Sequence, residues 1–264
     1  MATVGPGRPL SRIALTPVSA RPDSTATPSD ASRSAHAGGA PEKGINALYA
    51  AQVALAAINA LRETFVDDDH VRVHPIITRG GDIVSAIPAD VRMETFVRAS
   101  TAEAIEAANR KVTRALKAGA LALGAQVEIT SVPGYLPMRQ DPGLCQLFRA
   151  NAEQVVGREH VGEVGHRAGG TDMGDLGHVM PVLHPFAGGA TGAGHGGDYR
   201  LVDYDLLVTN PAQALAMTVI DLLAEDAREA RRVLADFQPR FSKDAYLTFV
   251  SRLATSETYD GSAM

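Results

Sequence analysis

Between Pro41 and Val132 the sequence alternates between helical and strand spacing of its apolar residues, and the order of those segments constrains the fold more than any motif does. Pro41 and Glu42 stand where a helix would start. Ile45, Leu48, Ala51, Val53, Leu55 and Ile58 then follow a helical spacing, which predicts a helix to about Arg62 or Glu63. The run from Val71 to Ile77 reads as a strand closed by Gly80 and Gly81. From Val91 to Val97 the chain alternates, with Val91, Met93, Thr95 and Val97 on one face and Glu94, Phe96 and Arg98 on the other. A second helix is expected from Thr101 to Gly124: Ser100 or Thr101 can cap it, Glu103 lies in its first turn, and Gly124 follows its last. Gln126 to Val132 alternates again as a strand. With an edge strand expected near Ser34 to Ala37, the order is β-α-β-β-α-β, the split βαβ or ferredoxin-like arrangement. Its helices would cover one face of an antiparallel sheet and leave the other face, or an edge, free to pair. Dimerisation is the natural expectation.

The flanks differ from this module. Residues 1–33 are rich in Pro, Ser, Thr, Ala and Arg, a composition that buries little apolar surface, so this segment is expected to be disordered or poorly packed, with Ser11 to Leu15 as a possible short strand. After Pro133-Gly134-Tyr135-Leu136-Pro137 the character changes again. Leu144 to Val155 reads as a helix. A long amphipathic helix is expected from about Ala212 to Phe237, with Asn210 as cap, Pro211 at its first position, and Leu215, Val219, Leu222 and Leu223 on its buried face. Phe241 to Leu253 is expected to add one more helix before a frayed tail. The division is therefore 1–33, 34–134 and 135–264.

In the third segment, Gly169 to Tyr199 holds three His, three Asp and ten Gly around the apolar run Val179 to Leu183, which reads as a buried strand with loops at both ends. Dense glycine suits a backbone that turns sharply or approaches a ligand closely. His195 is flanked by Gly194, Gly196 and Gly197, so its imidazole sits on a bare backbone suited to a metal or a substrate contact, although a zinc site needs three or four ligands. Asp172 follows Thr171 at the start of a short helix, where its carboxylate can serve as a cap or meet a substrate. His178 and His184 bracket the apolar run and can hold loops. His74 lies within a strand, and His70, His160 and His166 have polar neighbours and are expected to be solvated. No G-x-S-x-G elbow, P-loop, HExxH, cysteine pair or His-x-Asp is present.

Composition removes several function classes. A net charge of -5 and the absence of Trp speak against nucleic-acid binding. A single cysteine, Cys145, excludes an internal disulfide framework and fits a reducing compartment, so a cytoplasmic location is expected. No run of 18 or more apolar residues marks a membrane span.

Several separated motifs, in order and in register from about Ala35 to Glu225, carry a family resemblance. The run S-A-H-A-G-G-A-P-E-K-G-I-N-A-L from Ser34 to Leu48 is similar to the start of the lid domain in metal-dependent amidohydrolases of the aminoacylase and carboxypeptidase type. G-G-D-I-V-S-A-I-P-A-D, P-G-Y-L-P-M, G-G-T-D-M-G-D-L and G-A-G-H-G-G-D-Y add agreement. The branch it resembles contains indole-acetyl-amino-acid and p-aminobenzoyl-glutamate hydrolases. The resemblance implies an α/β fold, made of a ferredoxin-like split βαβ lid or dimerisation domain plus the carboxyl-terminal part of an α/β zinc-hydrolase catalytic domain. It implies that His36 reaches an active site, often the partner subunit's, to stabilise a tetrahedral oxyanion. His195 matches a metal ligand, and Ser85 is the candidate substrate contact at a position where many members carry an asparagine, a departure from the family's pattern. A divalent metal, zinc or manganese, a homodimer formed through the lid, and an N-acyl amino acid or dipeptide-like substrate are implied as well.

Family members carry a catalytic segment before the lid with a His-x-Asp ligand, a bridging carboxylate and a Glu general base. Here the residues before His36 include no histidine and no glutamate, only Asp23 and Asp30. The expectation is a fragment, a mis-called gene start or a degenerate homologue, inactive alone. The alternative is a non-catalytic dimerisation or small-molecule-binding homologue.

Overall fold

The computed structural model describes residues 33–163, 165 and 170–263, and the backbone of residues 11–15. In chain order the elements are β1 (Ser11–Leu15), α1 (Ala47–Leu61), β2 (Arg72–Arg79), β3 (Val91–Arg98), α2 (Ala102–Leu123), β4 (Gln126–Ser131), α3 (Pro142–Val156), α4 (Asp172–Leu176), β5 (Ala190–Thr191), β6 (Arg200–Leu201), α5 (Asn210–Asp236), α6 (Lys243–Leu253) and β7 (Thr255–Asp260). They fall into two units, one running up to Pro137 and resuming at Leu247, the other from Met138 to Tyr246. The carboxyl-terminal stretch expected with the second unit thus returns to the first.

The first unit is an antiparallel sheet of order β2-β3-β1-β4-β7, covered by α1 and α2. Its β2-β3-β1-β4 core is the strand order of the split βαβ arrangement read from the sequence. The alternation of β3 is kept: Val91, Met93, Thr95 and Val97 are buried, and the residues between them are not. Val73, Val127 and Ile129 join them beneath the helices. Small residues let α1 approach α2 closely. Ala50, Ala51 and Ala54 are fully buried, and a Cβ placed on Gly119 would lie 2.3 Å from the carbonyl oxygen of Ala50. Thr101 caps α2 by accepting from the Ala104 amide, and Gly124 ends it in the left-handed region with φ of 63°.

Two strands lie elsewhere than the sequence suggested. The first is Ser11–Leu15, which pairs with both β3 and β4 in the middle of the sheet. Around Ser34 to Ala37, where an edge strand was expected, only an isolated bridge between His36 and Ala86 forms. The tail does not fray: β7 pairs antiparallel with β4 along its whole length, from Gln126 opposite Asp260 to Ser131 opposite Thr255.

In the second unit α3 starts at Pro142, with the Asp141 side chain accepting from the Leu144 amide. Asn151 on α3 is buried and donates to Asp221 at 2.7 Å and to Thr218 at 3.3 Å, which joins α3 to α5. The face of α5 that packs is therefore Ala214, Thr218 and Asp221, not the expected leucine stripe. Leu215, Val219 and Leu223 are exposed, Leu223 by 66%. Nor is this helix continuous. Ala224 leaves helical geometry, and Glu225, Asp226 and Ala227 all adopt positive φ, which interrupts it before Arg228. Asp205–Asp236 is long and apolar enough to cross a membrane by length and composition, with a mean hydropathy of 1.4 over its most apolar window. Only 11% of that window is buried, and within the stretch the Asp221 carboxylate accepts from Asn151 at 2.7 Å.

Val179 to Leu183 is not a strand. Pro181 lacks an amide, the Val179 and Met180 amides turn back to the Leu176 carbonyl at 2.9 Å each, and the Val182 carbonyl accepts from Asp141 at 2.9 Å.

Candidate functional site

In the first unit His36 sits at the start of a tight turn. The Ala40 amide donates to the His36 carbonyl at 3.0 Å, while the amides of Gly38 and Gly39 donate to the ring nitrogen Nδ1 at 3.2 and 2.9 Å. This turn is clipped to the loop between β2 and β3: the Ala37 amide donates to the Ser85 carbonyl at 2.8 Å, and the Ile87 amide to the Ala35 carbonyl at 2.9 Å. Gly44 lies close against the clip: a Cβ there would come 2.7 Å from Ile87 Cδ1 and 3.2 Å from the Arg33 carbonyl oxygen. Arg79 and Arg92 both pair with Asp90, at 2.6 and 3.2 Å, and hold the far end of the same loop. His36 and Ser85, which are 49 positions apart, are thus brought onto paired backbone segments, and both side chains are exposed. His74 lies exposed on β2, opposite Phe96.

In the second unit Asp172 is the first residue of α4, and Thr171 precedes it as the cap position without a side-chain cap bond. The Asp172 carboxylate is exposed and accepts from the neighbouring Met173 amide at 3.0 Å. His195 lies in the loop joining β5 to β6, with φ of 67°, a left-handed conformation that L-residues seldom adopt. The Gly196 amide donates to the Ala193 carbonyl at 2.8 Å and closes the turn around it. Among the described residues the His195 ring is exposed and no hydrogen bond or ion pair holds it. No group of three or more His, Cys, Asp or Glu side chains among the described residues is placed to hold a metal ion. A metal centre does not fit these residues, because His195 alone supplies one ligand where three or four are required.

His178 is structural. It is 4% exposed, its Nδ1 lies 2.8 Å from the Gly174 carbonyl, and its own carbonyl accepts from the amides of Arg240 and Phe241. Burial lowers the pKa of its imidazole; the Gly174 contact opposes this, and Arg240 and Arg139 add to it. Beside it, Tyr246 donates to Asp175; burial first, then the Asp175 charge, pushes its phenol up to about 12. The His184 amide donates to Gln140 at 2.7 Å, and its ring meets Phe186 edge-on. His70 and His160 are exposed, as expected; His166 lies outside the described residues. Cys145 is half-buried, and burial raises its thiol pKa, away from the range of a reactive thiolate.

A family model described as a peptidase dimerisation domain matches residues 31–123. The chain is 29% identical over 204 residues to the Xaa-Arg dipeptidase of Mus musculus, covering 74% of this chain and 47% of that protein. It is 27% identical over 232 residues to the Xaa-Arg dipeptidase of Homo sapiens, covering 83% and 51%. The chain thus spans about half the length of the curated relatives it matches. Among solved structures, the aminopeptidase PepT from Bacillus cereus is similar with a TM-score of 0.51 at 20% identity, over 79% of this chain and 50% of that one. A tripeptidase from Staphylococcus aureus gives a TM-score of 0.50 at 18% identity, over 83% and 51%. At these identities the structural likeness speaks to the fold alone.

Proposed function

We infer that this chain, which belongs to the family of amidohydrolases and peptidases built with this dimerisation domain, serves in hydrolysis of the amide bond of an N-acyl or N-aryl amino acid or a dipeptide-like substrate. The observation that carries the reading is the His36 turn. It lies within the matched residues 31–123, its ring is exposed, and it is fixed to the Ser85 loop by two backbone bonds. A histidine held this way can donate to the oxygen on which charge develops as an amide carbonyl becomes tetrahedral. Ser85 and Asp172 are the proposed substrate contacts.

A divalent metal, zinc or manganese, is the proposed cofactor, with His195 as its one candidate ligand among the described residues, which do not complete a site. The lid is proposed to form a homodimer. Its sheet ends in β2, an edge strand with Ile76 and Ile77 exposed, and Tyr49 and Val53 are exposed on α1. An apolar edge of this kind is otherwise a liability for a sheet. A cytoplasmic site of action is proposed from the single unpaired Cys145.

A second reading, a dimeric binding protein without catalysis, is favoured by the lack of a three-ligand cluster among the described residues. Assaying the purified chain on N-acyl amino acids and dipeptides with added zinc or manganese separates the two. Metal-dependent hydrolysis that is lost in His195→Ala supports the enzyme. Dimers that take up no metal and hydrolyse nothing support the binding protein.

A further inference from the structure

We propose that the amides of Gly38 and Gly39 are positioning groups that hold His36 in its Nε2–H tautomer, so that the lid offers a carbonyl or oxyanion oxygen one neutral donor, Nε2–H. A neutral imidazole carries one proton, and either ring nitrogen can hold it. A backbone N–H can only donate. Two of them converge on Nδ1, at 3.2 and 2.9 Å, so this nitrogen is the acceptor and the proton resides on Nε2. A proton on Nδ1 would oppose both amides and break the turn that the Ala40 amide closes on the His36 carbonyl.

The glycines suit this arrangement by size. A Cβ on Gly39 would lie 3.3 Å from Nδ1 and 3.6 Å from Cγ, tighter than ordinary contact, so a side chain there would press on the ring. Position 38 leaves 3.7 Å to Cε1 and is less constrained. The remaining tie, from the Ala37 amide to the Ser85 carbonyl, fixes the backbone from which the ring projects. Nε2 is then the ring atom left to meet a ligand, and the ring is exposed. The identity of the ligand oxygen rests on the hydrolytic reading above; the tautomer is a property of this chain alone.

Long-range proton–nitrogen spectra of the nitrogen-15-labelled full chain, recorded at alkaline pH, test the proposal. The expected result is a single His36 form, with a bare Nδ1 and a protonated Nε2. The amide signals of Gly38 and Gly39 should shift in His36→Ala and return toward wild type in His36→Asn, because an asparagine oxygen can accept from the same two amides. A protonated Nδ1, an even mixture of the two forms, or glycine amides unmoved in His36→Ala would overturn it. In a hydrolysis assay His36→Asn should keep the turn and lose turnover, whereas His36→Gln, which restores an outward N–H donor, should recover part of it. The expected spectra without hydrolysis in any preparation would support the tautomer and sink the hydrolytic reading alone.

Discussion

The backbone amide of Ala37 donates to the carbonyl oxygen of Ser85 at 2.8 Å, and this bond ties the turn bearing His36 to the loop of the β2–β3 hairpin. Proline at position 37 removes the donor and also restricts the backbone of His36 before it. A neutral backbone hydrogen bond is worth about 1 kcal/mol, so Ala37→Pro should lower the melting temperature of the lid slightly and turnover much more. Equal turnover in Ala37→Pro and wild type would separate the clip from function.

Gly119 and Ala50 set the distance between the lid helices. Replacing a helical glycine by alanine normally gains up to about 1 kcal/mol of helix propensity. Here the new methyl would meet the Ala50 carbonyl oxygen at 2.3 Å, and overpacking of this kind costs about 1–3 kcal/mol. The clash should win, and thermal denaturation of Gly119→Ala should show a lower midpoint than wild type. A raised midpoint would mean that α1 and α2 can separate without loss.

These features were unequally legible in the sequence. The alternation of Val91, Met93, Thr95 and Val97 and the caps of α2 are local patterns, and the structure keeps them. The first strand was harder to place, because Ser11–Leu15 lies in a Pro- and Ser-rich tract and gains its place from partners at Val91–Thr95 and Glu128–Ser131. Thr255–Asp260 is likewise defined by β4, to which it pairs across more than a hundred positions. Conversely, the apolar run Val179 to Leu183 looked like a strand but lacks the partner a strand requires. The break of α5 falls at Glu225-Asp226-Ala227, which contain neither Gly nor Pro and so give no local signal. The site shows the same division. His36 and His195 stand out by their glycine neighbours, whereas the pairing of His36 with the Ser85 loop depends on tertiary register.

Ile76 and Ile77, exposed on the edge strand β2, provide the test of lid dimerisation. A lysine on an edge strand opposes strand pairing between chains. Because Ile76 is 60% exposed, Ile76→Lys should change monomer stability by no more than about 0.5 kcal/mol. Sedimentation equilibrium should show a dimer for wild type and a shift toward monomer for the variant. An unchanged dimer would place the interface elsewhere.

His178 should make the stability of the second unit depend on pH. Its folded pKa is depressed below the ordinary 6.5 by burial, so the unfolded chain binds the proton more readily. Its contribution is therefore full above the unfolded pKa and is lost as pH falls through the folded value. Denaturant midpoints measured from about pH 8 down to about pH 5 should decline, and His178→Gln should flatten that slope in this range. Tyr246, raised to about 12, adds the opposite limb: its contribution is full below about 10 and is lost as pH climbs through the folded value. A His178→Gln profile as steep as wild type on the acid side would assign the decline to other groups.

The proposed role of His36 is tested most directly by the kcat and KM of His36→Ala for an N-acyl amino acid in the presence of zinc or manganese. Removal of a single oxyanion donor costs about 10²–10³ in kcat, so the expected result is a loss of that order with little change in KM and the dimer intact. A kcat equal to that of wild type would contradict it.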